Sequence, residues 1–196
     1  MLPILHWCPT GLFSSLPIHA AGSYNSRQQP FECANDYFVS SYTPTIGALL
    51  TPDPPSTSQH SQMLVVVDFE TLQSTKEELT VIQEHVSKDI LTVLGTPDAP
   101  ATVEGVAGRL KEMSIVHFAC HGTNRPNSLR SGLRVAPPSG ELYISRIMRE
   151  NIPRGSLAYL SACETAVGDA TLPDEAISLG ASLIFCGFRH VVATMW

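Results

Sequence analysis

The spacing of hydrophobic positions divides the chain near residue 62. The first 50 residues carry no sustained periodicity, because Pro and Gly residues interrupt them at positions 3, 9, 11, 17, 22 and 30. We predict only short extended pieces at 13–19 and 37–42 and a short helix at 46–50. Prolines and serines dominate residues 51–62, which predicts an internal surface loop.

From residue 63 onward, continuous apolar runs alternate with stretches of helical periodicity. The apolar runs predict strands at 63–69, 91–94, 114–119, 156–162 and 190–196. A first helix is predicted to begin at a capping box, residues 74–77, and its apolar stripe reaches Ile90. Further helices are predicted at 102–113, 144–149 and 174–188. A hairpin is predicted from 133–135 and 141–143. This alternation indicates βαβ units and a mainly parallel sheet.

Two of the predicted strands end in side chains that could take part in chemistry. The strand at 114–119 is followed by His121 and Gly122, and the strand at 156–162 is followed by Cys163. Ligands of parallel sheets bind at the carboxyl ends of the strands. If these two strands are neighbours, His121 and Cys163 would face one crevice.

A cysteine and a histidine at one edge suit nucleophilic catalysis. A free thiol with a pKa of about 8.5 is mostly protonated at neutral pH, so it needs a neighbouring group to manage its proton. Histidine titrates in the required range. The backbone N–H of Gly122, together with that of Cys163, could form an oxyanion hole.

Composition and charge narrow the class of protein. With 196 residues, 43% of them hydrophobic and 15% charged, the chain is long enough for one domain with a substantial core. The formal net charge of -6, without a Lys/Arg cluster, argues against a nucleic-acid partner.

Location is inferred from what the sequence lacks. No apolar stretch approaches the roughly 20 residues needed to cross a membrane, and the N-terminus does not resemble a signal peptide. Five cysteines at irregular spacing indicate free thiols. A cytoplasmic location is therefore expected, with no membrane partner.

Residues 117–122 (HFACHG) and 160–166 (LSACETA) resemble the two signature motifs of CHAT domains. These domains form a group of the caspase- and separase-like clan of cysteine peptidases and are often attached to TPR repeats. The resemblance continues at 7–11, 16–22, 40–45 and 188–196, and the sequence of these segments is most similar to that of fungal members.

The resemblance implies a single domain over residues 1–196 with a caspase-like fold, a three-layer α/β/α arrangement around a mainly parallel sheet. It implies that His121 is the catalytic histidine and Cys163 the nucleophile, acting on a protein or peptide substrate without a cofactor. Separase-like relatives continue beyond the strand that ends here at Trp196, so we expect the domain to be incomplete at its C-terminus.

Three further residues belong to the candidate site. Glu164 could orient His121 or cap the turn that follows it. His117 lies within a strand and His19 in the opening segment, so both are expected in supporting or structural positions.

A metal site is the competing interpretation of the histidines. His117 and His121 have the i, i+4 spacing of zinc-binding helices, but Phe118 stands where such motifs carry Glu, and the segment is a predicted strand. The sequence has no Cys-x-x-Cys and no glycine-rich phosphate loop. We therefore expect neither a metal nor a nucleotide cofactor.

Two functional hypotheses remain open at this point. The first is a cysteine endopeptidase with a His121–Cys163 dyad, acting in a regulatory or signalling pathway. The second is a catalytically silent caspase-like scaffold within a larger TPR- or receptor-type protein. The proximity of the two side chains would distinguish them.

Overall fold

The structure, a computed structural model, describes residues 1–24, 32–50, 61–123, 125, 127–136, 140–162 and 178–194. Strands β1 to β12 are, in order, Ile4–Trp7, Gly22–Ser23, Glu32–Cys33, Val39–Tyr42, Met63–Val67, Leu91–Leu94, Ile115–Ala119, His121–Thr123, Gly132–Ala136, Gly140–Tyr143, Leu157–Leu160 and His190–Ala193. Helices α1 to α5 are Ile46–Leu49, Ser74–His85, Val103–Leu110, Ile144–Ile147 and Leu179–Cys186.

Five strands form a wholly parallel central sheet in the order β12-β11-β7-β5-β6. The expected α/β class with a parallel sheet is confirmed. Since β6 lies on one side of β5 and the following strand, β7, on the other, the topology changes direction between β5 and β7. Such a switch point is where open α/β sheets place their ligands.

Helices cover both faces of this sheet, because its strands are apolar on both sides. Leu79 of α2 packs on one face, against Val65 and Val67 of β5. On the other face, α3, α4 and α5 pack over the side chains that alternate with these, including Val66 and Phe118. The strands are therefore fixed in register from two sides, and their ends are held rigidly.

A second, three-stranded sheet follows the switch point. Strands β8, β9 and β10 are antiparallel, with β9 in the middle. The predicted hairpin corresponds to β9 and β10, whereas β8 was not expected. Its pairing extends the chain beyond β7 and so determines where His121 lies.

The N-terminal part contains a two-stranded parallel sheet of β1 and β4. The predicted extended piece at 37–42 overlaps β4, and the predicted short helix overlaps α1, whose N-cap Thr45 accepts a bond from the Ala48 N–H. The extended piece predicted at 13–19 is wrong. Single turns of 3-10 helix form there, at Gly11–Ser15 and Ile18–Ala20.

The predicted capping box at 74–77 is also wrong. Helix α2 begins at Ser74 with Gln73 as its N-cap, and no side chain caps it. The hydroxyl of Thr75 instead donates to the carbonyl oxygen of Leu72, at 2.7 Å. The helix ends at His85, so the apolar stripe extended to Ile90 overestimates its length.

The strand predicted at 91–94 has its predicted bounds, and the two hairpin strands are slightly longer than predicted. The helices predicted at 102–113 and 144–149 and the strands predicted at 63–69, 114–119 and 156–162 are present but shorter. Helix α5 and strand β12 lie within the ranges predicted at 174–188 and 190–196, of which 174–177 and 195–196 lie outside the described residues. Of the predicted loop at 51–62, residues 51–60 lie outside the described part of the chain, as do 163–177 of the region before α5. Among the described residues, no helix has the length and apolar character needed to span a membrane.

Candidate functional site

The carboxyl ends of β7 and β11 lie side by side, as the dyad hypothesis requires. Leu160 of β11 is in register with Phe118 of β7, and the backbone N–H of Ser161 donates to the Phe118 carbonyl at 2.9 Å. The Thr194 hydroxyl donates to the Ala162 carbonyl at 2.7 Å, which ties the chain beyond β11 to the chain beyond β12. The two strands are neighbours, which is the condition on which the hypothesis of a common crevice depends.

His121 is half-buried beside the switch point, at the start of β8. Its Nε2 lies 3.0 Å from the hydroxyl oxygen of Thr71, a residue of the loop between β5 and α2. The imidazole of His121 is thus anchored through one ring nitrogen by a residue from a neighbouring strand connection. This contact was not predicted.

Asp68 stands behind Thr71 as a buried carboxylate. It follows β5 directly, its side chain has no solvent exposure, and its backbone N–H donates to the Ala119 carbonyl at 3.0 Å. Its Oδ1 accepts from the backbone N–H of Thr71 at 3.0 Å, and its Oδ2 accepts from the Thr71 hydroxyl at 2.7 Å. The Asp68–Thr71 loop is therefore a rigid turn locked to the end of β7.

Arg134 completes this arrangement from the second sheet. It is the direct cross-strand partner of His121 in the pairing of β8 with β9. One guanidinium nitrogen lies 2.8 Å from the Thr71 hydroxyl oxygen and 3.3 Å from Oδ2 of Asp68. The register of the antiparallel sheet thus places the guanidinium of Arg134 against both the Thr71 hydroxyl and the Asp68 carboxylate.

The charge state of Asp68 follows from these contacts. Burial by itself raises the pKa of Asp68, but the two hydrogen bonds from Thr71 and the guanidinium of Arg134 outweigh it, so the pKa lies below the usual value. The carboxylate is ionised at neutral pH and can only accept hydrogen bonds.

Of Gly122, Cys163 and Glu164, the structure describes only Gly122. Gly122 lies next to His121 in β8, in register with Leu133. Cys163 and Glu164 follow Ala162 in sequence and lie outside the described residues. Their predicted roles as nucleophile and as a partner of His121 remain predictions, as does the oxyanion role of Gly122.

His117 faces the layer of α2 rather than the Asp68–Thr71 loop. It is buried, its Nε2 lies 3.0 Å from Oε1 of Glu78, and its ring stacks on Tyr159 at a centroid distance of 5.0 Å. Burial lowers the pKa of His117, and the carboxylate of Glu78 offsets this only in part. These contacts connect His117 to the sheet and to α2.

His19 bonds to the N-terminal sheet. Its Nδ1 lies 2.8 Å from the phenol oxygen of Tyr42, and its backbone N–H donates to the same oxygen at 3.0 Å. Tyr42 belongs to β4, so the contact joins a 3-10 turn to that strand. The contacts of His19 are those of a structural residue.

The described cysteines differ sharply in the access that reagents have to them. Cys120 and Cys186 are buried, and burial raises the pKa of the first thiol to about 12 and that of the second to about 11. Cys8 is exposed and Cys33 half-buried. Two of these four thiols are therefore unreactive at neutral pH, because the thiolate is the reactive form.

A cleft of about 290 Å³, which Asp68 helps to line, opens at the carboxyl ends of β5 and β6. Its walls are mainly apolar and come from the loops after both strands and from β9, with Asp68, Phe69, Glu70, Gly95, Thr96, Pro97, Pro100, Ala101 and Val135 as lining residues. Among the described residues, no group of three His, Cys, Asp or Glu side chains could hold a metal ion.

Sequence reasoning missed Asp68, Thr71 and Arg134. A signal for the first two was present. Asp68 is the one charged residue within the apolar run 63–69, and aspartate side chains often accept bonds from backbone N–H groups two or three residues later in the chain. Arg134 gave no such signal, since its approach depends on the pairing of β8 with β9.

Comparison with known proteins adds a family assignment to this geometry. The family model of the CHAT domain matches residues 2–196, nearly the whole chain. No curated protein matches the sequence closely.

Proposed function

The chain belongs to the CHAT domain family, within the caspase-like clan of cysteine peptidases, and we propose that it is an endopeptidase that cleaves a protein substrate with His121 and Cys163. The observation that carries this proposal is the pairing of β7 with β11, which brings the segments leading to these two residues to one edge of the sheet. Cysteine peptidases need a thiol and an imidazole within reach of each other.

The chemistry proceeds in two steps. The Cys163 sulfur, as thiolate, attacks the scissile carbonyl carbon, and the protonated His121 donates its proton to the leaving amine as the C–N bond breaks. Water then attacks the resulting thioester, His121 takes a proton from that water, and the C–S bond breaks to release the acid. Backbone N–H groups of Gly122 and Cys163 are proposed to stabilise the oxyanion.

Two features of the described residues support this assignment. His121 is half-buried at a rigid edge and held by Thr71 rather than left to rotate in solvent. The mainly apolar cleft that Asp68 helps to line provides a surface on which a peptide segment could be held during the reaction.

Cleavage of a peptide library tests the proposal without knowledge of the natural substrate. Incubation of proteome-derived peptides with the protein, followed by mass spectrometry of new N-termini, should give cleavage products. Cys163→Ala should abolish them, because the nucleophile is removed, and His121→Ala should lower their rate by about 10²-fold or more.

Cys33→Ala is the matched control, since it removes a half-buried thiol far along the chain from the dyad and should leave cleavage unchanged. Equal cleavage by the wild type and Cys163→Ala would contradict the proposal. A folded wild-type protein that cleaves nothing would instead favour a silent scaffold.

A further inference from the structure

The Thr71 hydroxyl has three polar partners within hydrogen-bond distance, and this number constrains where its proton lies. The partners are Oδ2 of Asp68 at 2.7 Å, a guanidinium nitrogen of Arg134 at 2.8 Å and Nε2 of His121 at 3.0 Å. A hydroxyl donates one hydrogen bond and accepts two. One partner must therefore accept, and the other two must donate.

The identities of two partners are fixed by their chemistry. An ionised carboxylate can only accept, and a guanidinium can only donate. The Thr71 proton must then point to Asp68, because otherwise two oxygen lone pairs would face each other at 2.7 Å. Nε2 of His121 is left as the second donor, and it must carry a hydrogen.

From this geometry we infer that Thr71 fixes His121 in the tautomer protonated on Nε2, so that Nδ1 is the ring atom that exchanges protons with Cys163. Thr71 is a positioning residue in this scheme, and Asp68 and Arg134 hold its hydroxyl in the required orientation. The inference about Nδ1 rests on the proposed function, whereas the tautomer does not.

The surrounding structure is suited to holding this orientation. Asp68 accepts from the Thr71 backbone as well as from its hydroxyl, so the threonine cannot turn away without losing two bonds. Arg134 is placed by the strand register that also places His121. Among the described residues, no hydrogen-bond partner is found for Nδ1 of His121, which leaves that nitrogen for the reaction.

Long-range ¹H–¹⁵N spectra of protein labelled in histidine test the tautomer directly. The measurement is made at mildly alkaline pH, where imidazoles are neutral, and the His121 signals are identified by their loss in His121→Gln. Wild type is expected to carry its proton on Nε2. Since free histidine also has a modest preference for that nitrogen, the decisive comparison is between variants.

Asp68→Asn distinguishes a tautomer fixed by Thr71 from the intrinsic preference of histidine. The new amide keeps its oxygen on the Thr71 backbone N–H and directs its NH₂ at the hydroxyl, which must then donate to His121. The proton population of His121 should move toward Nδ1. Thr71→Val should weaken the preference for Nε2, and Thr71→Ser, which keeps the hydroxyl, should behave as wild type.

Thr71 is exposed, so its replacement opens no cavity in the core. A proton on Nδ1 in the wild type, or the same distribution in wild type, Asp68→Asn and Thr71→Val, would overturn the inference. Circular dichroism of each variant shows whether it has kept its fold. Thr71→Ser is the control variant, because it changes residue 71 and is expected to leave the tautomer unchanged.

Kinetics on a cleaved peptide add the second half of the test. Thr71→Val should lower kcat about 3- to 10-fold with little change in KM, because one hydrogen bond to the catalytic imidazole is lost. Asp68→Asn should lower kcat further, since it favours the wrong tautomer. Thr71→Ser should restore most of the rate.

The two proposals can fail separately. If the spectra change as expected and no peptide is cleaved, the tautomer assignment stands and the endopeptidase proposal falls. If peptides are cleaved by the His121–Cys163 pair but Thr71→Val matches wild type in kcat and in its spectrum, the role of Thr71 falls alone.

Discussion

Histidines 117 and 121 come from one continuous stretch of chain but occupy different environments. His121 is at the sheet edge and reaches Thr71 and solvent, whereas His117 is buried between β5 and β11 and stacks on Tyr159. Because burial disfavours a charged imidazole, the pKa of His117 is lowered from 6.5 despite the nearby carboxylate of Glu78. His117 thus affects stability through its protonation.

The pH dependence of unfolding should show this effect. The unfolded chain protonates His117 near pH 6.5 and the folded chain at a lower pH, so the unfolded state binds more protons between these values. The free energy of unfolding should therefore fall as the pH drops below about 6.5, until the folded-state pKa is passed. Urea titrations over this range measure the decrease.

His117→Phe keeps an aromatic ring to stack on Tyr159 and removes the titration, so it should flatten the pH dependence over that window. Tyr159→Phe, which keeps both His117 and the ring stacked on it, should keep the wild-type slope. A slope in His117→Phe as steep as that of the wild type would show that another group is responsible.

The sequence predicted that His121 lies at the carboxyl edge of the sheet but not which residues hold it there. His121 is recognisable because an apolar strand ends immediately before it. The contacts of Thr71 and Arg134 with His121 join positions 50 and 13 residues apart in the chain and depend on the register of two different sheets. No local pattern encodes that register.

Among the strands and helices, the loops after β5 and β6 are packed closely. Gly95 follows β6 with a positive φ of 96°, and a Cβ added there would lie 1.9 Å from the carbonyl oxygen of Val67. Val67 is the last residue of β5 and directly precedes Asp68. The absence of a side chain at Gly95 therefore allows β6 to end against the base of the Asp68–Thr71 loop.

Gly95→Ala should lower the free energy of unfolding by at least about 2 kcal/mol, because it adds both a steric overlap and an unfavourable φ. Gly108→Ala is the matched control: it lies within α3, and its added Cβ would meet no atom within 4 Å. That substitution should raise stability by about 0.5–1 kcal/mol. Denaturant titrations compare them, and equal effects of the two would contradict the packing account.

Prediction of the helices and strands succeeded where burial dominates and failed where local hydrogen bonds do. The run at 63–69 was recognisable as β5 because its side chains are buried on both faces. The capping box failed because Ser74, its expected N-cap, is already the first residue of the helix, whose N-cap is Gln73. The 3-10 turns before residue 21 follow from prolines and glycine, which permit several turn geometries.

The whole molecule combines a sheet clamped between helices with one edge that carries the candidate chemistry. Helical packing on both faces fixes the strand ends, and the second sheet places His121 and Arg134 over the loop after β5. Burial of Cys120 and Cys186 removes two competing thiols. Among the described cysteines, Cys8 and Cys33 then remain the only ones open to reagents.

Labelling with a peptidyl acyloxymethyl ketone, mapped to individual cysteines by mass spectrometry, tests this account most directly. The reagent alkylates a thiolate that an adjacent imidazole assists, and it requires no known substrate. We expect Cys163 to be modified first, at a rate that falls in His121→Ala, with Cys120 and Cys186 unmodified. Modification of exposed Cys8 as fast as Cys163, with no effect of His121→Ala, would contradict a His121–Cys163 dyad.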